Sequence, residues 1–293
     1  MQGSRRAYVV LWLVPALWSA NYVIARLAPG AIAPHALALA RWSLALLVML
    51  PWVWREVLDQ RDALRREWPQ HLVLGGLGMW ICGAFVYLGG QTTSVTNIGL
   101  FYAATPVVIA LAGARMLHER MSLAQRFGVA LALFGVVFII VKGDLRALLG
   151  LHFVVGDLWI LAAASSWAAY SVLLKRWTSV LTPFSRLAVI IGGGIVVLLP
   201  FTFIEWLLVP YPPFTAKAVW LVVLAALLPG VLSYGAYSYL QRELGASRTA
   251  LLLYLSPVYG AVAAWLLLGE APGWYHGVGA AFILPSIWLA TRR

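Results

Sequence analysis

Apolar residues fill ten stretches of this chain, and short polar or turn-forming segments separate them. The stretches are 7–28, 34–54, 70–90, 95–117, 123–141, 155–175, 183–207, 217–240, 248–268 and 273–291. Each is close to the ~20 residues a helix needs to cross ~30 Å of hydrocarbon. The separators carry charge or turn chemistry: Pro29-Gly30 with Pro34, the run Arg55 to Glu67, Lys142-Gly143-Asp144, Thr182-Pro183, Pro210 to Pro213, and Pro272-Gly273. The pattern predicts an all-α polytopic membrane protein with ten transmembrane helices. The first stretch follows Arg5-Arg6 as an export leader would, but its apolar part is too long and nine more stretches follow. It is read as a retained helix.

Composition agrees. Of 293 residues, 62% are hydrophobic and 11% charged, whereas a soluble domain carries about 45–50% and 25%. Ten spans leave short loops and no room for a soluble domain. The single cysteine, Cys82, rules out a disulfide framework and a cysteine zinc cluster, and neither metal nor cofactor is expected. The basic residues set the orientation. With the amino terminus inside, 16 Lys and Arg fall on the cytoplasmic side and only Lys142, Arg146 and Lys217 outside. Positive loops stay inside, so both termini are expected in the cytoplasm and the protein in a bacterial inner membrane. The net charge of +11 is thereby used up on topology, and no nucleic-acid partner is expected.

The chain also repeats itself at a spacing near 150. Trp18 to Arg26 aligns with Trp167 to Lys175, and Pro34 to Pro51 with Pro183 to Pro200, both at an offset of 149. Gly83 to Leu88 matches Gly235 to Leu240 at 152. Thr105-Pro106, Glu119 and Gly128 match Ser256-Pro257, Glu270 and Gly279, with equal internal spacings of 13 and 9. Residues 1–147 and 148–293 are therefore read as two five-helix repeats within one membrane domain. Five is odd, so the second repeat would insert upside down. Inverted repeats are a recurring plan of secondary transporters, with the substrate site at the midplane between them.

The doubled Trp, [Ser/Thr]-Pro, Leu-x-Glu and Gly pattern, read in Leu117-His-Glu119 and Leu268-Gly-Glu270, resembles the drug/metabolite transporter superfamily. The ten-helix EamA-type branch fits across essentially the whole chain. With Trp18-Ser-Ala-Asn21-Tyr the run is most similar to YddG-type exporters of aromatic amino acids. The resemblance implies two inverted five-helix halves around a central cavity, exporting small metabolites from the cytoplasm.

Chemistry-bearing residues narrow the mechanism. All ten carboxylates, Glu119 and Glu270 among them, fall in loops or near predicted helix ends. Proton relays usually use an intramembrane acid, so uncoupled, facilitative transport is expected. Glu119 and Glu270 read either as gate contacts or, more plainly, as polar helix ends in structural hydrogen-bond networks. Arg26, Lys175 and Arg41 read as side chains that snorkel to the interface; the competing reading has Arg26 or Arg41 attracting a substrate carboxylate or closing an outer gate. His35, His71, His118, His152 and His276 are assigned to helix ends and interfaces.

The midplane candidates are aromatic and neutral polar. Trp18 and Trp167 lie about eleven residues into their helices, roughly 16 Å deep, far from the interfaces where lipid-anchoring Trp gathers. Asn21 lies one turn beyond Trp18, with Tyr170 as its aligned counterpart. Trp80, Tyr87, Tyr234 and Tyr237 add aromatic surface from the third and eighth helices, and Tyr102, Thr105, Tyr254 and Ser256 from the fourth and ninth. These twelve are the expected substrate-binding residues, and none is catalytic. Pro106 and Pro257 are expected to kink the fourth and ninth helices at matching points and act as hinges. The glycines at 75–78 and 192–194 are expected to allow close helix packing.

The expected function is a secondary transporter exporting aromatic and other neutral amino acids by alternating access. The alternatives are other metabolites, drugs or nucleotide sugars and, more distantly, a scaffold or receptor without transport. An enzyme would need a metal motif, a nucleophile with its base, or a mid-span acid, which the sequence lacks. The expected partners are a small-molecule substrate and the lipid bilayer. A monomer is expected, with a homo-oligomer left open.

Overall fold

The computed structural model describes residues 2–93, 95–118, 122–150, 152–213, 215–268 and 271–291. Among these residues regular structure is helical throughout. The helices are α1 (Gln2–Leu27), α2 (Pro34–Asp59), α3 (Arg61–Gly89), α4 (Val95–Met116), α5 (Leu123–Ile140), α6 (Val155–Arg176), α7 (Pro183–Leu208), α8 (Ala216–Leu244), α9 (residues 246–268) and α10 (Trp274–Thr291). Six of them, α2, α3, α5, α6, α7 and α8, are long and apolar enough to cross a membrane, while α1 and α4 hold the shorter apolar segments Val9–Asn21 and Phe101–Met116. Large apolar side chains stand exposed around the outside, among them Leu111, Trp220 and Leu266. In water such a surface would aggregate; in a bilayer it is the lipid-facing wall of a multi-pass membrane protein.

Helix starts follow local chemistry. Pro34 and Pro183 open α2 and α7 at the first helical position, where proline's missing N–H costs nothing. Ser122 and Gln125 cap α5 reciprocally. Asp157, three residues into α6, accepts from the Val154 N–H at 2.8 Å and from the Thr93 hydroxyl. Gly245, at φ +87°, turns the chain from α8 into α9 through a conformation L side chains rarely adopt.

The charged run Arg55 to Glu67, expected to be a connector, is helical apart from an elbow at Gln60 between α2 and α3. Its residues are good helix formers and hold neither glycine nor proline, so nothing breaks the helix.

The two halves of the chain interlock. α3 packs on α6 and α7, while α8 packs on α1 and α2; α4 meets α6, and α9 meets α1. Glycines permit close approaches, at Gly75 and Gly194 in the two expected runs and at others outside them. A Cβ on Gly75 would lie 2.2 Å from the Gly194 nitrogen, one on Gly89 2.8 Å from the Gly156 carbonyl, and one on Gly135 2.8 Å from the Gly279 carbonyl. Each of these contacts joins the first half to the second.

α2 and α7 are joined at both ends by carboxylates. Glu205, near the end of α7, accepts from the His35 and Ala36 backbone N–H groups of α2 at 3.1 Å and meets the His35 ring at 2.9 Å. Glu56, near the end of α2, accepts from the Thr182 N–H at 2.6 Å, its hydroxyl at 2.8 Å, and the Ser185 hydroxyl. The first turn of a helix has orphan N–H groups and a partial positive charge, and each helix supplies the anion for the other. Tyr211 also donates to Glu205, at 3.1 Å. Burial, and then the Glu205 charge, hold its phenol above the ordinary range, so it remains a donor.

The prolines are not treated alike. α4 runs as uninterrupted α-helix through Pro106, whereas Pro257 follows a 3₁₀ turn, Leu251–Leu255. The irregularities that match between the halves lie elsewhere, as π-helical turns at Gly76–Ile81 in α3 and Ala226–Leu232 in α8. Glu119 and Glu270 lie outside the described residues, as does the side chain of Arg26.

Candidate functional site

The π turn of α3 organises the centre of the protein. A π turn misaligns the backbone ladder and leaves carbonyls to be satisfied by other groups. Three successive carbonyls are taken by side chains from three helices. Ser166 of α6 donates to the Leu77 carbonyl at 2.8 Å, Tyr234 of α8 to Gly78 at 3.1 Å, and Trp42 of α2 to Met79 at 3.2 Å. Gly78 has no side chain because the Tyr170 ring would lie 2.9 Å from a Cβ there.

Around this turn five of the expected residues converge. Trp18 meets Trp167 edge-on with ring centroids 5.3 Å apart, and lies 5.5 Å from Tyr237 and 6.3 Å from Tyr234. Trp167 stacks on Tyr170 at 5.3 Å and meets Tyr234 at 5.4 Å and Tyr237 at 5.0 Å. Edge-on and offset contacts are the favoured aromatic geometries. Trp42, which sequence reasoning missed, completes the cluster against Tyr234 at 4.9 Å. The Trp167 indole N–H is buried without an acceptor among the described residues.

Polar groups bracket the cluster on two sides. On one, Tyr237 shares a 2.8 Å hydrogen bond with Ser171, and Gln241 donates to the Tyr237 oxygen at 3.2 Å and to the Ser171 carbonyl at 3.0 Å. On the other, Tyr87 donates to the Asn21 amide oxygen at 2.9 Å, and Arg41 donates to Tyr87 at 3.2 Å and to Asn21 at 3.4 Å. Arg41 does not snorkel. It is 5% exposed, with its guanidinium 4.6 Å from the Trp42 ring centroid. The side chain is held inward by Asn21 and Tyr87, in space that Gly83 leaves open: a Cβ there would lie 3.2 Å from the guanidinium. Lys175 does reach a helix end, donating to the Gln241 carbonyl at 3.0 Å.

The other expected residues make contacts of their own. Trp80 stacks on Phe201 of α7 at 3.8 Å and packs edge-on against Phe85. Tyr102 lies with its hydroxyl 4.0 Å from the Cys82 sulfur. Thr105 is buried and donates to the Phe101 carbonyl at 3.4 Å. Tyr254 and Ser256 are buried in α9. His71, expected at an interface, is 1% exposed within α3, 3.8 Å from Glu67; the unbroken charged helix carries it into the packed interior.

The EamA-like transporter family matches this chain twice, over residues 5–141 and 154–292. The chain belongs to that family. Among its relatives, a transporter of Archaeoglobus fulgidus is 24% identical over 99% of both chains. A probable amino-acid metabolite efflux pump of Salmonella typhimurium is 27% identical, covering 98% of this chain and 95% of the relative. A probable terminal-alkyne amino-acid exporter of Streptantibioticus cattleyicolor is 26% identical, covering 98% and 94%. One solved structure superposes with a TM-score of 0.76 at 21% identity, over 98% of this chain and 96% of that one, and so shares the fold. Family and relatives point to a membrane transporter of the drug/metabolite superfamily, with a small-molecule substrate, and away from catalysis.

Proposed function

We propose that this EamA-family transporter exports aromatic and other neutral amino acids from the cytoplasm by alternating access between two inverted five-helix repeats. The observation that carries this reading is the Trp18–Trp167 contact at 5.3 Å. These tryptophans stand 149 residues apart at equivalent repeat positions and meet within a cluster to which Tyr170, Tyr234 and Tyr237 contribute rings. Ring faces and edges suit an aromatic side chain, and the Trp167 N–H, without an acceptor among the described residues, offers a donor. The reciprocal caps of α2 and α7, the crossed packing of α3 and α8, and the two π turns all support the inverted repeat. The names of two relatives support amino-acid cargo. Tyr87, Trp80, Tyr102, Thr105, Tyr254 and Ser256 are assigned to the wider path, and Pro106 and Pro257 to hinges.

Transport is downhill in this reading, with both termini on the cytoplasmic side of an inner membrane. Purified protein in liposomes loaded with unlabelled L-phenylalanine is expected to take up labelled phenylalanine by counterflow. A pH gradient alone is expected to drive no accumulation. Counterflow with aliphatic but not aromatic substrates would overturn the cargo, and pH-driven accumulation would overturn the uncoupled mechanism.

A further inference from the structure

We propose that Arg41 is the subsite for a substrate carboxylate. The inference deepens the transport reading above and rests on it for the existence of a cargo. A buried guanidinium without a counter-charge is costly, and the described partners of Arg41 are an amide, a phenol and an indole face, none of them anionic. Its bonds to Asn21 and Tyr87 lie on the long side of the hydrogen-bond range at 3.4 and 3.2 Å, and its Nε–H is buried with no partner among the described residues. A carboxylate accepts two parallel N–H bonds from the guanidinium fork, shorter and stronger than those to neutral groups.

The position fits the cluster beside it. Asn21 lies three residues from Trp18 on α1, so the two share a face with a rise of about 4.5 Å. Trp42 carries Arg41 over its ring and also meets Tyr234 edge-on. Asn21, which meets Arg41, thus links the guanidinium to the helix face that carries Trp18. With Arg41 turned to the carboxylate, the Tyr87 oxygen and the second lone pair of the Asn21 oxygen, which still accepts from Tyr87, can accept from the cargo's ammonium. The subsite selects for a carboxylate and not for an aromatic ring, which separates it from the cargo proposal.

Binding to the purified full chain tests this with matched pairs: L-phenylalanine against L-phenylalaninamide, and L-leucine against L-leucinamide, read by thermal shift and titration. The acid is expected to bind about ten- to hundredfold more tightly than its amide in at least one pair. Arg41→Gln should abolish that preference, and Arg41→Lys should retain part of it. The wild-type comparison needs no variant, so an Arg41→Gln protein that fails to fold leaves the test standing. Equal binding of acid and amide in both pairs, no binding of any acid, or a preference that survives Arg41→Gln overturns the subsite. A preference confined to the leucine pair supports the subsite while overturning the aromatic cargo.

Discussion

Glu56 and Glu205 each cap the helix that carries the other, and they stand 149 residues apart in the chain. Each satisfies N–H groups that would otherwise be orphaned, as a capping residue does. Glu56→Gln and Glu205→Gln are each expected to cost about 1–2 kcal/mol. The two caps lie at opposite ends of α2, roughly 30 Å apart, so the double variant should show the sum of the single effects. Thermal unfolding of the detergent-purified protein checks both points.

Ser166, Tyr234 and Trp42 hold the π turn of α3 by its carbonyls. Tyr234→Phe keeps the ring and removes only the donor, leaving the Gly78 carbonyl unmet. The expected loss is about 1–2 kcal/mol. Backbone hydrogen exchange should rise over residues 76–81 while α5 and α10 remain protected.

Gly75 and Gly194 bring α3 and α7 together with no space for a side chain. Because the obstruction is backbone on a facing helix, it cannot rotate away. Gly75→Ala is expected to destabilise by about 1–3 kcal/mol. Gly192→Ala, which meets nothing within 4 Å, is the matched control and should unfold at or slightly above the wild-type temperature, because alanine favours the helix interior over glycine. Comparing their melting curves decides it.

Trp18→Ala and Trp167→Ala are expected to lower counterflow at least tenfold, while the protein still inserts and elutes as the wild type from a sizing column. Trp18→Phe, which keeps an aromatic ring, should retain more than a tenth of the rate. Undiminished counterflow in both alanine variants would remove the aromatic cluster from the transport path.

Much of the fold was legible because the bilayer demands long apolar helices, and breaks between them need turn residues or charge. Trp18 and Trp167 were legible through the repeat and their depth. The π turns were not, since three carbonyls of Gly76–Ile81 meet side chains from residues distant in sequence, which no local pattern announces. Trp42 was missed for lack of a repeat partner: the aligned residue is Ile191. Arg41 was read as snorkelling because a lone cation near a helix start usually does; only Asn21 and Tyr87, from two other helices, hold it inward. The Glu56–Glu205 pairing did leave a signal. The offset of 149 that joins Pro34–Pro51 to Pro183–Pro200 continues five residues further to these acids.

The π turn in α3 takes Trp42 from the first family-matched segment, and Ser166 and Tyr234 from the second. A chimera joining the first segment to the second segment of a relative without those two hydroxyls would inherit acceptors and lose their donors. At this turn the two segments are inherited as one unit.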